Sequence, residues 1–439
     1  MTKIFRNIFI LFLTTVGLSS CIFEYPEEPD TPDGMVAFHF NINTLAASSG
    51  SEVVEKIKSL RIIVLNEESV ECNQYVALGT GTASDQFGYD FRWWTKPGTK
   101  SLIVIANEES VPSVTSELLE NTSMSLTGLL DTYVEDSDAE VLVNIMNSLV
   151  FTPEYSTQGN EVFLPYSVIY QNIVLPEAPS QQAGPFNPVK IYLVPAATKF
   201  IFNFINYRSS TINIKGISIS KINQKSYLLG HPSEDEYYKN FNTEKLYWVD
   251  WLAKIAENSW LHPGYSDNED YNNEVGWIAS YNVPNPEDAK VFDFIKEGVN
   301  NPLTIFAATT EVDDAGEDVI IPKSNSTGVY YLPESVNYER LGNQEDEDVS
   351  DGEQQFYLTL VIDEEGAKIP PPAFDNVVLP NLKALFRDTY VIVNVKMSEG
   401  DLEVYAEIAP WNKKTANGWV VDGNPPPNNP FLQNKRSRK

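Results

Sequence analysis

Val189 to Asn206 reads VKIYLVPAATKFIFNFIN. In its second half Phe200, Phe202 and Phe204 alternate with Ile201, Asn203 and Ile205, a strand apolar on both sides. Such a strand belongs inside a sandwich, because neither face tolerates water. Downstream, Val391, Val393, Val395 and Met397 face Leu402, Val404, Ala406 and Ile408 across the turn Ser398-Glu399-Gly400-Asp401, the pattern of a β-hairpin. Further strands are expected at Ile212 to Ser220, Leu303 to Thr309, Gly328 to Leu332 and Gln355 to Ile362.

Upstream the same period recurs. Val36, Phe38, Phe40 and Ile42 share one face of a strand, with Ala37, His39 and Asn41 on the other. KIKSLRIIVLN carries a β-branched run at Ile62 to Val64, a central strand, and LIVIANEE (Leu102 to Glu109) ends at Asn107, a residue suited to bond its own backbone in a turn. One helix is expected where Ser137-Asp138-Ala139-Glu140 gives capping-box spacing ahead of Leu142, Ile145, Met146 and Leu149, an apolar stripe that would cover a sheet. Strands outnumber helices and do not alternate with them, so the fold class is mainly β: two tandem antiparallel β-sandwich domains with a few short helices.

Residues 175–188, LPEAPSQQAGPFNP, hold four of the 28 prolines and set the expected division between domains at 35–188 and 189–411. Residues 412–439 read as a flexible C-terminal tail whose basic end, Lys435, Arg436, Arg438 and Lys439, is a solvated terminus. At the other end, MTKIFRNIFILFLTTVGLSSC has Lys3 and Arg6, an apolar run from Ile8 to Leu13, and Leu18-Ser19-Ser20 before Cys21. This is a secretory signal over residues 1–20. Because the residue at the cut is cysteine, it resembles a bacterial lipobox, whose thiol takes diacylglycerol, with palmitate as the expected acyl chain. Residues 21–34, rich in proline and carboxylate, read as a tether.

With 61 acidic and 31 basic side chains the net charge is −30, which disfavours nucleic acid and anionic headgroups as partners. Cys72 is the only other cysteine, so no internal disulfide is expected once Cys21 is acylated. His39, His231 and His262 have no metal-ligand spacing, and no nucleophile elbow, Walker loop or dinucleotide fingerprint occurs, so neither metal, cofactor nor enzymatic activity is expected. The acidic runs Glu311 to Asp318 and Glu345 to Glu353 suit calcium by charge. Their spacing does not fit an EF-type loop, since counting from Asp346 the sixth position is Asp351 and Gly352 comes one late. In the aromatic segment, Trp248, Trp251, Leu252 and Ile255 fall on one helical stripe. Trp260, Tyr265, Tyr271 and Trp277 admit either a sugar-stacking platform or loop packing.

The order of motifs, a lipobox, an early strand, KIKSLRIIVLN, LIVIANEE, LPYS (Leu164 to Ser167), IYLVPAATKF, YLPES (Tyr331 to Ser335) and LEVYAEIAPW, resembles the fimbrillins of the Bacteroidota. The resemblance implies transthyretin-like sandwiches, export to the outer membrane on a lipid, and assembly with other fimbrial subunits by β-strand complementation. It also implies a role in cell adhesion to host or bacterial surface ligands. In stalk subunits of that family an arginine after the first strand marks a proteolytic cut. Here no Lys or Arg occurs from Cys21 to Glu55, so the first strand (Val36, Phe38, Phe40, Ile42) is expected to stay in place unless a cut falls at Lys56, Lys58 or Arg61. The alternative reading is a glycan-binding surface lipoprotein.

A fatty-acid probe fed to cells should label the wild-type chain and not Cys21→Ser; equal labelling of both would remove the lipid anchor.

Overall fold

The computed structural model describes residues 34–44, 54–155, 157–158, 160–177, 189–230, 283–284, 288–298, 301–336, 356–365, 374–379, 382, 384–399 and 401–410. Cys21, the basic tail, His231, His262, the aromatic segment with Trp260, Tyr265, Tyr271 and Trp277, and the acidic run Glu345 to Glu353 lie outside the described residues.

The first sandwich is built from β1 (Val36–Thr44), β2 (Val54–Leu65), β3 (Val70–Ala83), β4 (Gly88–Thr95) and β5 (Gly98–Ala106). Next come the short strands β6 (Val114–Thr115), β7 (Val150–Phe151), β8 (Thr157–Gln158) and β9 (Glu161–Val162), and then β10 (Tyr166–Leu175) and β11 (Val189–Pro195). Two helices intervene, α1 (Leu126–Leu130) and α2 (Ala139–Ser148). One layer is β4-β1-β11 and the other β10-β5-β2-β3; β10 and β11 pair only at Tyr166↔Pro195 and Ser167↔Val194, where the layers meet. Between them lie Phe38, Phe40 and Ile42 of β1, Leu60, Ile62 and Val64 of β2, and Ile191 and Leu193 of β11. Cys72 on β3 joins this core, and burial pushes its thiol up to about 11, so it is an inert filler.

The outer face of β2-β5-β10 is also apolar, with Ile63, Leu65, Ile103, Ile105 and Ile169 packed against α1 and α2. The helix is where its periodicity predicts, burying Leu142, Ile145 and Met146. Its cap falls one residue later than the Ser137 spacing suggests. Asp138 accepts from the Val141 N–H at 3.0 Å, and the Ser137 hydroxyl instead accepts from Val134 N.

The second sandwich contains β12 (Thr198–Asn206), β13 (Ile212–Ile222), β14 (Ser226–Tyr227), β15 (Lys290–Ile295), β16 (Leu303–Ile305), β17 (Thr309–Val312), β18 (Asp318–Ile321), β19 (Lys323–Ser326) and β20 (Tyr330–Leu332). It closes with β21 (Ser335–Val336), β22 (Tyr357–Glu364), β23 (Phe374–Val378), β24 (Ala384–Leu385), β25 (Thr389–Ser398) and β26 (Asp401–Pro410). One sheet runs β19-β12-β25-β26 with β20 also on β12; the other runs β15-β13-β22-β23 with β16 also on β13. Phe200, Phe202 and Phe204 sit fully buried between them against Phe294, Leu360 and Val393. The β25–β26 hairpin has the register its alternation predicts, Val391↔Ile408 to Met397↔Leu402.

Pairing is mostly antiparallel, with β1–β11, β2–β9 and β12–β25 parallel. The proline-rich stretch precedes β11, yet β11 pairs with β1, so Val189–Pro195 completes the first sandwich and the second begins at Thr198. Strand pairing, which composition does not encode, thus assigns β11 to the first body, and we propose Ala196-Ala197 as the division in place of residue 188. The two bodies are also stitched: β14 pairs with β7, and Leu228 and Leu229 fill the helix-covered core of the first sandwich.

Truncating fully buried Leu142 to alanine should cost about 2–5 kcal/mol in denaturant unfolding, whereas its exposed neighbour Val141→Ala should stay within about 0.5 kcal/mol.

Candidate functional site

Alternation places β1 where it is. Its apolar side chains fall on one face, and the chain can bury them only by lying between two strands over the opposite sheet. It pairs antiparallel with β4 from Val36↔Thr95 to Asn43↔Gly88, and parallel with β11 from Phe40↔Val189 to Thr44↔Leu193. Phe38, Phe40 and Ile42 are buried, with Phe40 4.9 Å from the Phe38 ring and 5.0 Å from Phe91; Val36 sits half-buried at the rim. On the outer face Asn41 donates to Asp90 at 2.7 Å. His39 lies 3.9 Å from the same carboxylate, its pKa lowered by burial and by Arg92, so it stays neutral at pH 7. β1 is therefore a central strand. Removing it would bare two hydrogen-bonding edges and an apolar trough, which only another extended strand with the same alternation could refill.

Lys56, Lys58 and Arg61 all lie within β2, which is paired with both β3 and β5 around Arg61. Lys56 forms an ion pair with Glu161, and the Lys58 ammonium stands 4.6 Å over the Phe163 ring. Arg61, 4% exposed, donates to both Glu108 oxygens at 2.9 and 2.8 Å and to Asp131 at 2.8 Å. Arg61 is thus held between two paired neighbours, whereas Lys56 and Lys58 precede the β5 pairing and are half-buried. Asn107, in the left-handed region at φ 56°, does not bond its own backbone: its side chain donates to Lys56 O and Leu164 O and accepts from Lys58 N, tying β2 to the start of β10.

The junction end of β1 meets a buried polar cluster. Thr44 donates to Ser84 O, and the Ser84 hydroxyl lies 3.4 Å from Glu55. Glu55, 7% exposed, pairs with Lys199 of β12, 2% exposed, and accepts from the Tyr331 hydroxyl at 3.0 Å. Lys199 also stands 5.6 Å over the Tyr390 ring. Beside them Arg387 pairs with Glu334 and donates to Leu228 O and Tyr227 O at 3.0 and 2.7 Å. Asp388, in the left-handed region at φ 60°, donates its N–H to Ala197 O. The motifs LPYS, IYLVPAATKF and YLPES thus converge: Tyr166, Lys199, Tyr331 and Glu334 are parts of one junction. Sequence reading missed the cluster, although Glu55 and Lys199, charged residues at the ends of strongly apolar strands, were a signal that they need partners.

Burial raises the phenols of Tyr166 and Tyr331 and pushes Tyr390 up to about 12, so all three stay protonated. Burial likewise pushes Asp388 up to about 8, with Glu55 adding to the effect and Lys199 and Arg387 opposing it. A protonated Asp388 leaves Glu55/Lys199 and Arg387/Glu334 as two balanced pairs. Among the described residues no group of His, Cys, Asp or Glu is arranged to hold a metal ion, and no helix is long and apolar enough to cross a membrane.

A scan against protein-family models finds no match, and neither does a search of curated proteins. Among solved structures the chain is similar to the tip fimbrial protein Mfa3 of Porphyromonas gingivalis, a C-terminally truncated form, at 13% identity and TM-score 0.46, covering 86% of this chain and 100% of that one. It is also similar to a fimbrilin of Porphyromonas gingivalis W83 (12%, TM-score 0.35, 86% and 97% covered). A third is a fimbrial assembly protein of Parabacteroides distasonis ATCC 8503 (9%, TM-score 0.35, 86% and 99%). These structure neighbours are Bacteroidota fimbrial proteins at low sequence identity.

An unfolded aspartate titrates near 3.9, so between about pH 4 and pH 8 the native state holds a proton at Asp388 that the unfolded chain has released. Its contribution to stability is full below about pH 4 and is lost as pH rises through about 8. Asp388→Asn should remove this slope, so the wild-type-minus-variant difference in unfolding free energy falls by a few kcal/mol from pH 5 to pH 8.5; a constant difference would show that Asp388 does not titrate there.

Proposed function

We propose that this chain is a structural, non-enzymatic subunit of a cell-surface fimbria or of its assembly and anchoring apparatus. In this reading it is exported as a lipoprotein through Cys21, held at the outer membrane, and joined to other subunits through strand pairing, with a role in adhesion. The observation that carries this reading is the position of β1: the first strand of the body is central to its sheet, between β4 and β11, rather than at an edge. A first strand in that position can be kept, closing the sandwich, or exchanged for a partner's strand, linking subunits. Burying Phe38, Phe40 and Ile42 is worth roughly 1.5–3 kcal/mol per side chain, which is lost when the strand leaves and recovered when another fills the trough.

Retention is the state the chain favours. The first basic residues after β1 in the chain, Lys56, Lys58 and Arg61, are built into β2, and the loop before them has no Lys or Arg, so a trypsin-like protease finds no basic residue in the loop that follows the first strand. A subunit that keeps its first strand ends or anchors a polymer instead of extending it.

The protein should appear in sheared surface filaments with intact mass and a blocked, lipidated Cys21. A new N-terminus at Ile57, Ser59 or Ile62, with detergent-resistant ladders on gels, would make it a polymerising stalk subunit; absence from the filament fraction would remove the fimbrial reading altogether.

A further inference from the structure

The hairpin β17–β18 stands apart from both sheets of the second sandwich. Among the described residues its strands pair only with each other, Thr309↔Ile321 to Val312↔Asp318, and every residue from Thr309 to Ile320 is exposed. Phe306 at its base is 70% exposed and Val312 68%, with Val319 and Ile320 also in solvent. A two-stranded ribbon wet on both faces is marginal by itself, and bare aliphatic and aromatic side chains on it mark a contact surface. Phe306 to Pro322 also carries Glu311, Asp313, Asp314, Glu317 and Asp318 and no Lys or Arg. Several other strand carboxylates face a cation, as Glu161 faces Lys56, Asp363 faces Lys215 and Glu403 faces Lys396.

Strand register locates the hairpin. β12 and β25 run in parallel away from the junction, and β19, the next strand after the hairpin, pairs with Asn203–Asn206 at their far end. β26 returns toward the junction, Pro410 opposite Thr389, and the chain continues from there into residues 411–439. That segment holds six of the 31 Lys and Arg and one of the 61 Asp and Glu. In its last ten residues Phe431 and Leu432 precede Lys435, Arg436, Arg438 and Lys439, an apolar pair and then four cations.

We propose that the hairpin is the docking surface for this chain's own C-terminal segment, Phe431 and Leu432 covering its apolar side chains and the four cations its carboxylates. Length favours the same chain over a second copy. The ten residues of β26 span about 30 Å, and the segment from Pro410 to Lys435, if unstructured, has an r.m.s. reach of about 25–30 Å. Effective concentration is greatest when reach matches span.

Zero-length carbodiimide cross-linking of the full chain, mixed as light and heavy isotope forms, tests this. Lys435 and Lys439 should link to Asp313, Asp314 or Glu317 within single chains. The links should fall at least fivefold at high salt. Links spread evenly over carboxylates elsewhere, or mainly between light and heavy chains, would overturn the proposal. A second readout leaves the fold untouched: in K435Q/R436Q/R438Q/K439Q, amide exchange at Val312 and Val319 should accelerate several-fold, and unchanged exchange would show the hairpin uncovered in the wild type.

Discussion

Lys199 enters the second sandwich as the second residue of β12, at a point where the chain has just left the first, and its ammonium has no route to water. A buried cation is tolerable only beside an anion, and Glu55, at the start of β2, supplies it from the other body. This requirement fixes the relation of the two sandwiches more sharply than apolar contact could. An apolar interface tolerates small slides, whereas a lysine and a carboxylate sealed from solvent must meet at hydrogen-bond distance. Ion pairs of this kind add little net stability, since desolvation offsets much of the attraction, but they penalise every arrangement that separates them. Tyr331 and the neighbouring Arg387–Glu334 pair extend the same constraint across the junction.

The junction also reaches the first strand. Thr44 ends β1 on Ser84, Ser84 approaches Glu55, and Glu55 holds Lys199. The end of β1 that points toward the second sandwich is therefore the constrained one, while Val36 at the opposite pole is half-buried and comes directly after the tether. A strand so placed is strongly held by its three buried side chains and by neighbours on both sides. Its connection to β2 runs through residues 45–53.

The features legible directly from the residues were those that depend on period. Alternation in β1, β12 and the β25–β26 hairpin, and the four-residue stripe of α2, are local consequences of how side chains project from extended or helical backbone, so the mainly β class, the facing residues and even the register Val391↔Ile408 were legible. The arrangement of the charged junction was not, because Glu55, Lys199, Tyr331 and Arg387 are brought together from four distant segments, and nothing in the neighbours of any one names the others.

The same limit explains β11. Its sequence is continuous with β12 and separated from β10 by four prolines, so composition groups it with the second sandwich; hydrogen bonding to β1, far upstream in the chain, groups it with the first. The sequence by itself determined the strands with clean alternation, β1, β12 and the β25–β26 hairpin, and the faces they bury, since both are set by side-chain spacing over a few residues, whereas β3, β4 and β10 lack so regular a period. Only the tertiary structure decided which strands are neighbours, where one sandwich ends, and that β1 is central, because strand pairing is made by backbone groups that every residue carries alike, and its choice is settled by the summed packing of the whole core.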